Sequence, residues 1–236
     1  MRGPGMDKQH DHADDGPTTE PRRPGPRAAT TRDDLIAAAT EVFGETGFTT
    51  ATISEISRRA GRAHGSFYTY FDSKEAILLE VIRLINSEEH ARLDGETPAH
   101  TPEHRIARSN DRFVETYRRH ARILAAYEDL AARDEEAQRL RSATRLGYID
   151  RSIASIESWQ RDGLVDTDLD AEAIAHCLGS MVERVAHMKF VFGDGPEQER
   201  MMAAISDVWC AALGLSGEEG RGAARSLAAK RAGGTP

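Results

Sequence analysis

From about residue 31 onward, apolar residues recur at three- and four-residue spacing, the mark of helices that bury one face. The first stripe is Leu35, Ile36, Ala39, Val42 and Phe43, and Thr31 with Asp34 forms a capping-box start signal ahead of it. Gly44 and Gly47 stop this helix. Thr52 and Glu55 repeat the box before Ile53, Ile56 and Ala60, and Gly61 ends that second helix. A compact third helix follows over residues 64–71, and Asp72 with Glu75 opens a longer fourth carrying Ile77, Leu78, Val81, Ile82 and Ile85. Residues 95–102 are turn-rich. Beyond them the pattern predicts helices over residues 103–119, 121–133 and 135–161, the last closed by Asp162 and Gly163. Asp168 or Asp170 caps another running to about Phe192, and a final helix ends near Leu213. No stretch alternates with period two, so the expected fold class is all-α.

Residues 1–29 are rich in Pro, Gly, Asp and His and hold almost no large apolar side chain. Such a segment buries too little surface to offset its ordering entropy, so a disordered tail is expected. Residues 216–236 are expected to be flexible as well. No apolar run reaches membrane-spanning length and no signal-peptide core stands at the N-terminus, so no membrane partner is expected. Cys177 and Cys210 each lie in an apolar helical pattern and read as reduced core residues, in keeping with a cytoplasmic protein.

The net charge of −8 argues against dense phosphate binding. Its distribution softens that conclusion, because residues 22–75 hold eight Lys/Arg against seven Asp/Glu. A nucleic-acid module with a few placed cations is still allowed. Arg22, Arg23 and Arg27 are either solvated or brush phosphates.

Two short helices joined by a tight turn at Gly61 form a helix-turn-helix, whose second helix can enter the major groove while the first crosses the backbone. In the segment from Arg62 to Phe71, Phe67 and Phe71 share an apolar face, leaving His64, Ser66, Tyr68, Thr69 and Tyr70 to the other directions. The stretches TISEISRRAG, from Thr52, and HGSFYTYFDSKE, from His64, closely resemble the DNA-binding domain of the TetR/AcrR regulators, over about residues 31–85. The resemblance implies that Thr52 and Ser54 bond phosphates at a helix N-terminus, and that His64, Gly65 and Ser66 lie against base edges. It implies a phosphate contact for Tyr68, a phosphate or base contact for Tyr70, and a backbone grip for Lys74. Arg62 and Ala63 depart from the family pattern. Ala63 cannot cap the third helix, a loss of about 1 kcal/mol. Arg62 is either an extra phosphate or guanine contact or a solvated turn residue.

The same resemblance divides the chain into a DNA-binding domain over residues 30–75 and a helical ligand-binding and dimerisation domain over residues 76–215. It implies a homodimer on palindromic double-stranded operator DNA, released by a small-molecule effector. The expected dimer surface draws on Leu178, Met181, Val182 and Val185, and on Ile205, Val208, Trp209, Ala212 and Leu213. Some of these residues must serve the core of a single chain. Candidate effector-lining residues are Phe113, Tyr117, Tyr127, Tyr148, Trp159, Met181 and His187, each of which also suits plain core. No cation cluster suited to phosphates is visible in the middle of this domain, which favours an apolar or amphipathic effector.

Metal and enzyme readings find little support. His10 and His12 lie in the tail, and His100 and His104 straddle a proline-containing loop, so neither pair supplies a coherent metal site. There is no nucleophile elbow, phosphate-binding glycine loop or cofactor signature. A binding module that no longer reads DNA, and an activator or nucleoid-type regulator, remain the alternative functional classes.

Overall fold

The computed structural model describes residues 26–93 and 101–215. The expected N-terminal tail through residue 25, the turn over residues 94–100 and the expected tail from residue 216 lie outside the described residues. Eight helices follow one another among the described residues, with no strand. They are α1 (Pro26–Thr46), α2 (Ile53–Arg59), α3 (His64–Phe67), α4 (Lys74–Leu93), α5 (Pro102–Ala131), α6 (Glu135–Arg161), α7 (Ala171–Val191) and α8 (Gln198–Ala212).

Local capping explains most of the boundaries. The Thr52 hydroxyl accepts a hydrogen bond from the Glu55 N–H at 3.2 Å and caps α2 as expected, while the Glu55 carboxylate accepts from Arg58. Gly61 adopts φ +65°, a left-handed conformation open to glycine, which ends the helix and turns the chain toward α3. Asp134 and Asp170 accept from Ala137 and Ala173 and start α6 and α7.

Four details differ from the sequence reading. α1 begins at Pro26, where proline suits a first helical turn, so Thr31 and Asp34 lie inside the helix and not at its start. α3 is only four residues long, and residues 68–70 continue as turns instead of helix. At α4 the cap is the Ser73 hydroxyl, accepting from the Ala76 N–H at 3.0 Å, in place of Asp72. Finally, residues 103–119 and 121–133 form one helix, α5, broken by non-helical angles at His120 (φ −115°, ψ 19°).

Two apolar cores result. The first gathers Leu35, Val42 and Phe43 of α1, Ile56 of α2, Phe67 and Phe71, and Ile77 to Ile85 of α4, and it extends to Ile123, Tyr127 and Leu130. The second joins Ile106, Val114 and Tyr117 of α5 to Ile149 and Ile156 of α6, Leu178 and Val182 of α7, and Met201, Ile205 and Trp209 of α8. α7 approaches α6 closely at Gly179, where a Cβ would fall 2.8 Å from Ile149 Cδ1. Of the two cysteines, Cys210 is buried, and burial, aided by Glu103 and Asp207, pushes its thiol up to about 11. Cys177 is exposed on the outer face of α7, not in the core.

Candidate nucleic-acid interface and cavity

The second helix-turn-helix element, α3, is held from below by one side chain. Phe67 is fully buried, with its ring centroid 5.5 Å from that of Phe71. Above it, Thr52, Ser54, Ala63, His64, Gly65, Tyr68 and Thr69 are exposed, and Ser66 is half-buried. Tyr68 is 53% exposed, with its ring edge-on to His64 at 5.7 Å. The Ser54 hydroxyl lies 3.3 Å from His64 Nδ1, which ties the start of α3 to the first turn of α2. Tyr70 is placed differently. It is half-buried and packed against the first core, so its ring has a supporting role in this conformation.

Cations at this face are already engaged. Arg58 donates to Glu55 at 2.7 and 2.9 Å, a pairing that holds the Glu55 carboxyl below the usual carboxylate range. Arg59 pairs with Glu45 at 2.7 Å and Arg32 with Glu80 at 2.5 Å. Arg62 does not point outward but folds back on Asp34 of α1, Nη2 to Oδ2 2.5 Å. Lys74 turns its ammonium inward, donating to the carbonyls of Phe48 (2.7 Å) and Ala51 (2.9 Å) and lying 4.5 Å from the centroid of the Phe48 ring. The surface therefore offers hydroxyls, rings and helix N–H groups ahead of cations, suited to positioned phosphate contacts with a shallow salt dependence.

One prediction arises directly. Replacing Asp34 by alanine releases Arg62 toward DNA and is expected to raise affinity about fivefold while steepening the salt dependence by about one counterion. Fluorescence anisotropy across a salt series measures both, and an unchanged slope would remove Arg62 from the interface.

A partly open cavity of about 660 Å³ lies between α4, α5, α6, α7 and Trp209 of α8. Phe113, Tyr117, Tyr127, Tyr148 and Trp159 line it, as the sequence suggests. Met181 and His187 do not, since Met181 packs on the second core and His187 stands behind Tyr117, whose hydroxyl lies 2.7 Å from Nδ1. Burial pushes the Tyr117 and Tyr127 phenols above their ordinary range, so both remain neutral. The Tyr127 hydroxyl donates to the Ala137 carbonyl at 3.3 Å.

Folding also assembles what the sequence did not reveal. Arg105, Arg141, Arg145 and Arg151 all reach the cavity wall, in a part of the domain where the sequence showed no cation cluster suited to phosphates. Arg141 is matched by Glu128 (2.9 Å) and Glu183 (3.2 Å), and Arg145 donates to Ser180 at 2.6 Å. Arginines at 141, 145 and 151 sit in an Arg-rich helix, and spacing alone did not say which of them face inward.

Several residues expected at a dimer surface are spent inside one chain. Val182, Ile205 and Trp209 are 5%, 4% and 7% exposed, and Leu178 and Leu213 are buried too. The stripe Met201, Ile205 and Trp209 faces the second core, whereas Val208, one residue before Trp209, points outward at 44% exposure. Met181 and Val185 are half-buried against the same core.

Residues 35–81 match the model of the tetR family of bacterial regulatory proteins, and residues 106–214 match that of the C-terminal domain of the transcriptional regulator EthR. The HTH-type transcriptional regulator YdgC of Bacillus subtilis is 30% identical over 175 residues, spanning 69% of this chain and 82% of that protein. The chain belongs to the TetR family. It is a transcriptional regulator with a DNA-binding helix-turn-helix. The transcriptional repressor NicS of Pseudomonas putida is 32% identical over 151 residues, covering 61% of this chain and 69% of its own length. The TetR fold is also shared with the transcriptional regulator FadR of Bacillus subtilis, solved in complex with stearoyl-CoA (TM-score 0.59, 17% identity, 76% of this chain and 98% of that one). No described helix is long and apolar enough to cross a membrane.

Proposed function

We propose that this TetR-family protein is a homodimeric repressor released from a palindromic operator by a small apolar or amphipathic effector. The observation that carries the reading is shared ownership of one helix. Ile82, Ile85 and Asn86 of α4 form part of the cavity wall, and Lys74, at the start of the same helix, holds the loop ahead of α2. A molecule that fills the cavity pushes on α4 and so on the reading head. Its differential affinity for the two arrangements sets how far the operator is released. The Asn86 amide donates to Thr144 of α6 at 2.9 Å, a contact such a displacement would break. The repressor NicS and the FadR complex with stearoyl-CoA support the sign of regulation and the existence of an effector.

In this reading residues 30–75 dock on DNA, while residues 76–215 hold the effector and the dimer contact. With Val182, Ile205 and Trp209 taken by the core, the dimer surface is the outer face of α7 and α8. It carries exposed Ala173, Cys177 and Ser180 beside Ala204, Val208 and Ala211. Small side chains there let two helix pairs approach as a four-helix bundle. Replacing Val208 by arginine is expected to shift the protein from dimer to monomer in light scattering and to weaken operator binding at least about tenfold. Unchanged dimer mass would move the contact elsewhere.

Footprinting of the DNA flanking the gene tests the function itself. The proposal expects a palindromic protected site with half-sites about 34–36 Å apart, lost when effector is added. Absence of any protected site at low salt would overturn it.

A further inference from the structure

The cavity is chemically lopsided. α5 and α6 run antiparallel, as the facing pairs Tyr127 with Ala137, Phe113 with Tyr148 and Arg105 with Trp159 show. One end, near the DNA-binding helices, holds Glu128, Glu183, Arg141 and Arg145, whose charges compensate one another. The other end, toward the start of α5, holds three hydrogen-bond donors that find no acceptor among the described residues. They are Asn110 Nδ2, Trp209 Nε1 and Arg151 Nη2. Asn110 and Trp209 are each 7% exposed, and all three residues line the cavity. By the α5–α6 register, Asn110 lies level with Arg151, and Trp209 of α8 closes the same end. Arg161 stands exposed at that end of the wall, and Arg105 lies 5.3 Å from the centroid of the Trp159 ring.

A buried donor without an acceptor is destabilising, and three of them from three helices at one end of the cavity call for a ligand that brings acceptors. We infer that this far end reads the carboxylate of an effector whose apolar body lies against Phe113, Tyr148 and Ile149. A carboxylate carries one charge and four lone-pair sites, which suits one buried guanidinium nitrogen and two neutral donors. A phosphate would ask for more unpaired cations than this end buries, and an ammonium would face donors only. The inference rests on the proposed effector-responsive reading and sharpens it to one class of ligand.

Both tryptophans of the chain, Trp159 and Trp209, line the cavity, so their fluorescence reports occupancy directly. The experiment titrates the full-length protein with ω-phenylalkanoates of increasing chain length, and with the matching alcohols, ammonium ions and phosphate monoesters. The expected result is that the best carboxylate binds at least about tenfold tighter than its alcohol, ammonium and phosphate counterparts. Asn110→Leu and Arg151→Met should each collapse that preference, weakening the carboxylate much more than the alcohol. Asn110→Leu should also raise the melting temperature of the ligand-free protein, because it removes an unsatisfied buried amide. If no carboxylate of the series is preferred over its alcohol, or if both variants keep the preference, the inference is overturned. Operator release is read in parallel by anisotropy. A carboxylate that binds with the expected preference and releases no DNA counts against the effector-responsive reading while leaving the head-group assignment standing.

Discussion

Replacing Phe67 by alanine is expected to destabilise the protein by about 3–5 kcal/mol and to abolish operator binding. The reason lies in how little else holds the recognition element. α3 comprises four residues, far too few to be helical on its own, and its N-cap position, Ala63, makes no side-chain hydrogen bond. What fixes it is the fully buried Phe67 ring, tilted against Phe71 and edge-on to Tyr68, each with centroids 5.5 Å away. The alanine variant leaves a void under the reading surface, and Tyr68 and His64 lose their support together. Urea denaturation followed by circular dichroism gives the stability change, and anisotropy with operator DNA gives the binding loss. A variant as stable as the parent would show that the turn, and not the ring, positions α3.

The second large effect concerns Lys74. The family resemblance gives this lysine a grip on the DNA backbone, but here its ammonium faces the carbonyls of Phe48 and Ala51 and the Phe48 ring. Charge-assisted hydrogen bonds of this kind are worth about 1.5–3 kcal/mol each before losses to solvent, and a cation–π contact adds about 0.5–1 kcal/mol. Lys74→Met keeps the stem and removes the charge. It is expected to lower stability by about 2–4 kcal/mol, to weaken DNA binding through a loosened α1–α2 loop, and to leave the salt slope as it was. The opposite pattern, with stability intact and the slope reduced by about one, identifies a direct phosphate contact instead.

How much of this was legible in the sequence depended on the range of the interaction. Caps are three-residue events between a side chain and a nearby N–H, so Thr52 was legible in the sequence and Asp170 was one of its two candidates for α7, whereas Asp134 was not singled out. Asp72 and Ser73 are both good caps side by side, and local sequence does not decide between them; the fold uses Ser73. His120 is neither glycine nor proline, so nothing local distinguishes a broken helix from two helices. The pairing of Arg62 with Asp34 spans 28 residues, and no spacing rule anticipates it. The apolar stripe on α8 was visible as a stripe, but periodicity gives a face without naming the surface it meets. The aromatic part of the cavity wall was anticipated because large rings mark thick parts of a helical domain. Its donors were missed because asparagine and arginine on a polar-looking helix resemble solvated residues until a partner helix closes over them.

The break at His120 has a consequence for how the molecule behaves as a whole. Before it, Ile106, Asn110, Val114 and Tyr117 are buried at regular helical spacing, and after it Ile123, Tyr127 and Leu130 are. From Tyr117 to Ile123 the step is six residues, out of phase with a 3.6-residue turn, so a straight helix would turn the two sets to different faces. The kink lets one rod belong to two cores, with Leu124 touching each. Neither core can therefore melt without stripping a wall from the other. The full chain should unfold in a single calorimetric transition, and a ligand bound in the second core should raise the melting point of the DNA-reading helices along with its own.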